Sequence, residues 1–179
     1  MVNPVIIGTV ALDNVETPFG KVENALGGSA SYAAYAASFF ASPGIVSVIG
    51  KDFPPDHKKT LEKRNISLQG VSEDEKTFKW EGFYEYDMNE AKTVKTELNA
   101  LETFTPKIPE AYQNAQYIFL ANIDPEVQLT LLKYVKNPKM VVMDTMNFWI
   151  EHKREALMEV IKKVDIILLN DGEARLMFD

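Results

Sequence analysis

The 179 residues include no cysteine, which excludes disulfides, thiolate metal sites and cysteine nucleophiles. Basic charge is also in short supply. Nineteen Lys+Arg face 26 Asp+Glu, and the formal net charge of -7 has the wrong sign for releasing counterions from nucleic acid or for holding an anionic membrane. A continuous apolar run is missing as well. Asn24 to Gly50 carries no charged residue, but it contains Gly27-Gly28, is rich in Ser and Ala, and is broken by Pro43-Gly44. It therefore lacks the about 20 apolar residues that a bilayer-spanning helix needs, and reads as a buried helix followed by a buried strand. No basic segment precedes the apolar N-terminal run, the first lysine being Lys21, so a secretory signal is unsupported. The expectation is a soluble, cytoplasmic protein with no nucleic-acid or membrane partner.

Two nucleotide fingerprints are absent too. Gly8-Thr9-Val10-Ala11-Leu12-Asp13 does not supply G-x-G-x-x-G, and Gly44 to Asp52 places Asp52 where a P-loop requires Ser or Thr. His57 and His152 lie in charged surroundings without the spacing of a zinc site.

What is present has the proportions of a globular domain, 46% hydrophobic and 25% charged. Pro4 to Ala11 reads as a first strand ending at the turn pair Asp13-Asn14. Val15 to Glu23 reads as an exposed ribbon or loop. Ser29 to Ala41, with aromatics at three- and four-residue spacing, predicts a helix packed closely on a sheet. Ile45 to Ile49 is a buried strand and Pro55 to Arg64 a short surface helix. Lys76 to Leu98, with Phe78, Trp80, Phe83, Tyr84 and Tyr86, has the composition of exposed antiparallel strands. Strands at Gln116–Ala121, Met140–Asp144 and Asp165–Leu169 then alternate with helices at Pro125–Val135, Glu151–Val164 and from Asp171. That order predicts an α/β fold: a doubly wound, mostly parallel sheet with helices on both faces, plus a small projecting antiparallel sheet.

Ligands of such sheets bind beyond the carboxyl ends of the strands. The residues there are Asp13, Asn122 and Asp124, Asp144 and Asn147, and Asn170 and Glu173. Asp and Asn favour turns and helix caps in any case. Carboxylates converging on one edge, however, repel each other unless a metal, a sugar hydroxyl or a basic group compensates. Gly27-Gly28 admits two readings, a ligand approaching the backbone at a helix N-terminus, or a tight turn into a closely packed helix. Tyr32 could stack on a ring or belong to the core.

Gly27-Gly28 before a small-residue helix, Asp13 after the first strand, Val48-Ile49-Gly50-Lys51-Asp52 after the second, the projecting segment and above all Asn170-Asp171-Gly172-Glu173 resemble the ribokinase-like carbohydrate and nucleoside kinases of the phosphofructokinase-B type. The resemblance covers residues 1–179 as the N-terminal part of such a domain, with 14–24 and 76–99 as strands of its lid. It implies ATP-dependent phosphorylation of a hydroxymethyl group on a sugar or nucleoside. Asp13, Gly27, Gly28, Ser31, Asn122 and Asp124 would bind the acceptor. Asp144, Asn170 and Glu173 would face ATP and Mg2+, with Glu173 reaching the metal through water. A homodimer formed through the lid is a further implication. The sequence departs from the family pattern twice. Ser29-Ala30-Ser31-Tyr32 stands where many members place an Asn, and the family's Gly-Ala-Gly-Asp segment, which carries the catalytic base, is not among these residues. By the resemblance that segment would lie downstream of Asp179. The expectation is a substrate-binding and lid part that is inactive alone. The competing expectation is a non-catalytic sugar- or nucleoside-binding module.

Overall fold

Val5, Ile6 and Ile7 are all buried, and form a three-residue strand, β1 (Val5–Ile7), at the centre of the molecule. In the computed structural model, which describes residues 2–86, 88 and 91–178, the chain then leaves this sheet at once. Ala11–Thr17 (β2) and Gly20–Gly27 (β3) are an antiparallel pair in a second sheet. The expected strand Pro4–Ala11 is therefore two strands. Val5–Gly8 and Val10–Leu12 are buried with only Thr9 half-buried between them, so the apolar pattern gave no sign of the crossover. The exit is set by Gly8, where a Cβ would fall 2.7 Å from Ser29 Oγ and 2.8 Å from the Ala121 Cβ.

Helix α1 (Ser29–Ala37) returns to the main sheet, followed by β4 (Gly44–Gly50), α2 (Pro55–Glu62) and β5 (Ser67–Asp74). The helix stops four residues short of the expected Ala41, and its aromatic stripe faces outward. Ala30, Ser31 and Ala34 are the buried positions, because only small side chains allow the helix to lie close to the strands. Tyr35 and Phe39 instead lie under the Arg64 guanidinium, 4.6 and 4.3 Å from the ring centroids. Strand β5 has a polar, half-exposed pattern that periodicity did not reveal.

β6 (Phe78–Tyr84) and β7 (Ala91–Glu97) pair antiparallel as expected, but β6 joins β2 in parallel, so the projecting sheet, ordered β3-β2-β6-β7, is mixed. β8 (Tyr117–Leu120), α3 (Pro125–Leu132), β9 (Met140–Asp144), α4 (Asn147–His152), α5 (Arg154–Ile161), β10 (Ile166–Leu168) and α6 (Asp171–Phe178) complete the order. Residues 87, 89 and 90 of the expected lid segment lie outside the described residues, as does Asp179, the position beyond which the catalytic segment is expected. The single expected helix Glu151–Val164 is two, divided at Lys153, whose φ of -133° is not helical.

The main sheet is parallel throughout, in the order β10-β9-β8-β1-β4-β5. Strand order reverses beside β1, which places a switch-point crevice at the carboxyl ends of β1 and β8. One face is covered along its length: Val46 and Val48 meet Phe104 and Tyr112, while Ile118, Leu120, Val141 and Met143 meet Leu131, Leu157 and Met177. On the other face α1 and α2 cover Ile6, Ile45 and Ile49. Over β8, β9 and β10 that second face has no cover among the described residues, and Tyr117, Met140, Ile166 and Leu168 are exposed.

Candidate functional site

Asp13 lies inside β2, opposite Ala25 on β3 and Trp80 on β6, and not in the turn after a first strand as expected. Its carboxylate fills the space that Gly27 leaves open: a Cβ on Gly27 would sit 1.9 Å from Asp13 Oδ2. Gly28 has φ +92°, and a side chain there would meet the Thr9 carbonyl oxygen at 2.3 Å. Its N–H donates to the Asp13 carboxylate. Burial nonetheless pushes the Asp13 carboxyl up to about 6, against the lowering effect of that N–H. The glycine pair makes the tight entry to α1 and also cradles a half-buried acid of the chain itself.

A pin of short polar residues holds this corner. Ser29 N–H donates to Thr9 Oγ1 at 3.0 Å, Thr9 N–H donates to Ser29 Oγ at 3.2 Å, and Ser29 Oγ donates to the Asn122 carbonyl at 2.8 Å. Asn122 is the next element of the site. Its Oδ1 accepts from Trp149 Nε1 at 2.9 Å, and its backbone N–H reaches the Asp144 carboxylate.

Asp144 ends β9. Burial raises its carboxyl above the usual range; the Thr145 N–H opposes this, the nearby Glu173 charge adds to it, and the Asn122 N–H opposes it more weakly. Glu173 is itself 8% exposed. It forms a reciprocal cap with Asn170: Glu173 N–H donates to Asn170 Oδ1 at 2.8 Å, and Asn170 N–H donates to Glu173 Oε2 at 2.9 Å. The motif that carried most of the family resemblance is therefore also the N-terminal stop of α6. Below these groups Gln128 donates from Nε2 to the carbonyls of Leu120, Ala121 and Asp144, tying the ends of β8 and β9 together.

One expected acceptor residue is already engaged within the fold. Asp124 caps α3 through Glu126 N–H at 2.9 Å and pairs with Lys153 Nζ at 2.6 Å, so its oxygens serve the helix and the break between α4 and α5. Ser31 is 3% exposed, and its hydroxyl is buried without a hydrogen-bond partner among the described residues. Tyr32, one turn above Gly28, is 65% exposed and is not core. Its phenol is pushed up by burial, then by Asp13 and by Tyr84 of β6. The expectation of surface histidines is met: His57 bonds the Asn24 carbonyl and His152 stacks on Phe148. Sequence reasoning missed Thr9, Gln128 and the part played by Ser29. The available signal was a glutamine among the apolar residues of α3.

The arrangement has two ends. A half-buried acid on a glycine floor lies in the projecting sheet near Tyr32 of α1 and Tyr84 of β6, and a second pair of carboxylates lies at the strand ends, joined to the first through Ser29 and Asn122. The first suits a hydroxyl-bearing ligand. The second suits a cation bound together with phosphate oxygens.

The model of the pfkB family carbohydrate kinases matches residues 5–179. A cytidine kinase of Thermococcus kodakarensis is 30% identical over 178 residues, which are 97% of this chain and 63% of that protein. Among solved structures, a nucleoside kinase of Methanocaldococcus jannaschii has a TM-score of 0.73 at 19% identity, covering 97% of this chain and 62% of that one. A Cryptococcus neoformans ribokinase in complex with ADP has a TM-score of 0.75 at 16% identity, with 99% and 61% covered. The chain therefore spans less than two thirds of the length of these relatives. With the fold, the glycine cradle and the Asn170–Glu173 cap in place, the match over nearly the whole chain means that the protein belongs to the pfkB family of carbohydrate kinases.

Proposed function

We propose that the protein is the acceptor-binding and lid part of an ATP-dependent kinase that phosphorylates a hydroxymethyl group on a sugar or nucleoside. The observation that carries this reading is Asp13: a carboxylate held half-buried on Gly27-Gly28, beneath a lid sheet, in a chain of carbohydrate-kinase family. Asp13 accepts hydrogen bonds from acceptor hydroxyls, which replace the water that burial has removed. The strands 11–17, 20–27, 78–84 and 91–97 close over the acceptor and exclude water from the reacting hydroxyl. When bound, ATP supplies the phosphoryl group and magnesium neutralises the charge around it. Asp144, Asn170 and Glu173 would hold that side. Magnesium commonly uses one or two carboxylates together with substrate phosphates, so the pair Asp144 and Glu173 is sufficient, and among the described residues there is no larger acidic or histidine cluster. A cation there also offsets the Glu173 charge, which adds to burial in raising Asp144.

No residue up to Asp179 is assigned as the base that takes the hydroxyl proton, and the 179 residues alone are read as binding without turnover. The outward face of the lid, where Phe83 and Val94 are exposed, would seat a second copy. Dependence on ATP is in keeping with a cytoplasmic location. Phosphoryl transfer to a panel of sugars and nucleosides, measured on the protein from its natural gene and on its Asp13→Asn variant, is the test. Product formation that depends on Asp13 supports the reading. Product made by the 179 residues alone refutes their inactivity, and acceptor binding with no nucleotide binding by calorimetry favours the non-catalytic module. Light scattering on the same protein reads the dimer.

A further inference from the structure

The inward face of the lid carries more than Asp13. β2 and β6 run parallel, with Asp13 opposite Trp80 and Val15 opposite Gly82. Residues directly opposite each other share a face of a sheet, and alternate residues along a strand return to it. Asp13, Trp80, Gly82 and Tyr84 therefore lie on one surface. A Cβ on Gly82 would fall 2.2 Å from Cζ2 and 2.3 Å from Cη2 of Trp80, so the six-membered ring of the indole leans over Gly82 into the space a side chain would take. Its Nε1 donates to Thr93 Oγ1 at 3.1 Å, which fixes the rotation of the ring. Trp80 remains only half-buried in this position. Across the cleft, Tyr32 N–H donates to the Gly28 carbonyl at 3.2 Å, placing that ring one helical turn above the Asp13 cradle with most of its surface in water.

A site for a free sugar needs hydroxyl acceptors and donors. Here the walls beside the acid are aromatic rings, Trp80 half-buried and Tyr32 largely exposed. Such rings offer π faces to a planar group, and stacking a nucleic-acid base on one is tolerant of which base it is. Resting on the kinase reading of this site, we propose that Trp80, with Tyr32 opposite, is the wall on which the base of a nucleoside acceptor stacks while Asp13 takes the ribose hydroxyls. Gly82 leaves the room the indole occupies, and Thr93 orients it. The lid thus selects nucleosides over free sugars by the base.

Titration calorimetry of the 179-residue chain with uridine, adenosine and D-ribose tests this. Both nucleosides bind more tightly than ribose to the wild type. Trp80→Ala weakens nucleoside binding by roughly 5- to 150-fold, the range for loss of one stacked base, and leaves ribose binding unchanged. Trp80→Phe, which keeps a ring, restores most of the nucleoside affinity and guards against a folding defect. Tyr32→Ala acts in the same direction as Trp80→Ala, and Tyr32→Phe is near neutral. The wall is overturned if ribose binds as tightly as the nucleosides, if Trp80→Ala weakens ribose and nucleosides equally, or if it changes neither. Loss of ribose binding in Asp13→Asn then leaves the kinase reading standing. Failure of the wild type to bind any of the three ligands overturns both.

Discussion

Asp13 sets a conflict between binding and stability that can be read from its titration. Its folded pKa is raised from 3.8 to about 6, so between these values the folded protein holds a proton that the unfolded chain has lost. The unfavourable contribution to stability is absent below about pH 4, grows as the pH rises, and is complete above about pH 6. Asp13→Asn removes it. The expected outcome is a higher Tm than wild type at pH 7 and no difference at pH 4, by thermal denaturation of the ligand-free protein, with acceptor binding abolished. In the wild type, acceptor affinity rises with pH through about 6, as the carboxylate form that accepts hydroxyl bonds is populated. Gly27 governs the same group through space. Since a methyl there would overlap Asp13 Oδ2 at 1.9 Å, Gly27→Ala is expected to displace the carboxylate and abolish acceptor binding, a loss that calorimetry would register. Asp13 and the glycine pair were legible in the sequence because few other residues tolerate such close approach. Their register was not legible, since Ala11 to Asp13 reads equally well as the end of β1 or the start of another strand.

At the scale of elements, α6 shows how one motif can hold both a structural and a chemical role. Asn170 and Glu173 exchange backbone hydrogen bonds across the first turn, and a side-chain cap is worth about 1 kcal/mol. Glu173→Ala should destabilise by roughly that amount. Glu173→Gln keeps an acceptor for Asn170 N–H and should leave denaturant unfolding close to wild type, while removing the negative charge that raises Asp144. The Asp144 carboxyl, followed by NMR, is then expected to titrate at lower pH in Glu173→Gln than in wild type. The alternation of strands and helices after Gln116 was correct in order because each helix shows its period over two turns or more. The divided helix was not foreseen. Lys153 looks like an ordinary solvent-facing position in the pattern, and the reasons it leaves the helix, Asp124 and Glu126, lie in another element. The outward placement of Tyr35 and Phe39 was not legible for a related reason: Arg64 covers them from a loop that the helical period does not include.

Considered whole, the molecule is unevenly clothed. A parallel sheet ordinarily has both faces covered, yet over β8 to β10 one face exposes Tyr117, Met140, Ile166 and Leu168 beside a groove lined by Pro4, Ala33 and Ala37. Contiguous apolar surface of this kind promotes association. The isolated 179 residues are expected to bind a hydrophobic dye and to elute later from a sizing column on dilution, and Leu168→Lys with Ile166→Lys should reduce both effects without lowering Tm. An unchanged dye signal would show that the face is not the source. The two tryptophans have a different consequence. Trp80 belongs to the projecting sheet and Trp149 is anchored to Asn122 in the body, so the intrinsic emission of the protein contains one reporter from each. Because the chain has no cysteine, a thiol placed at any chosen position would be unique. A dye attached on α2, for example, would accept energy from both indoles, and with Trp149 replaced by Phe it would report on Trp80 alone, so that any movement of the projecting sheet could be timed in solution with no background label to subtract.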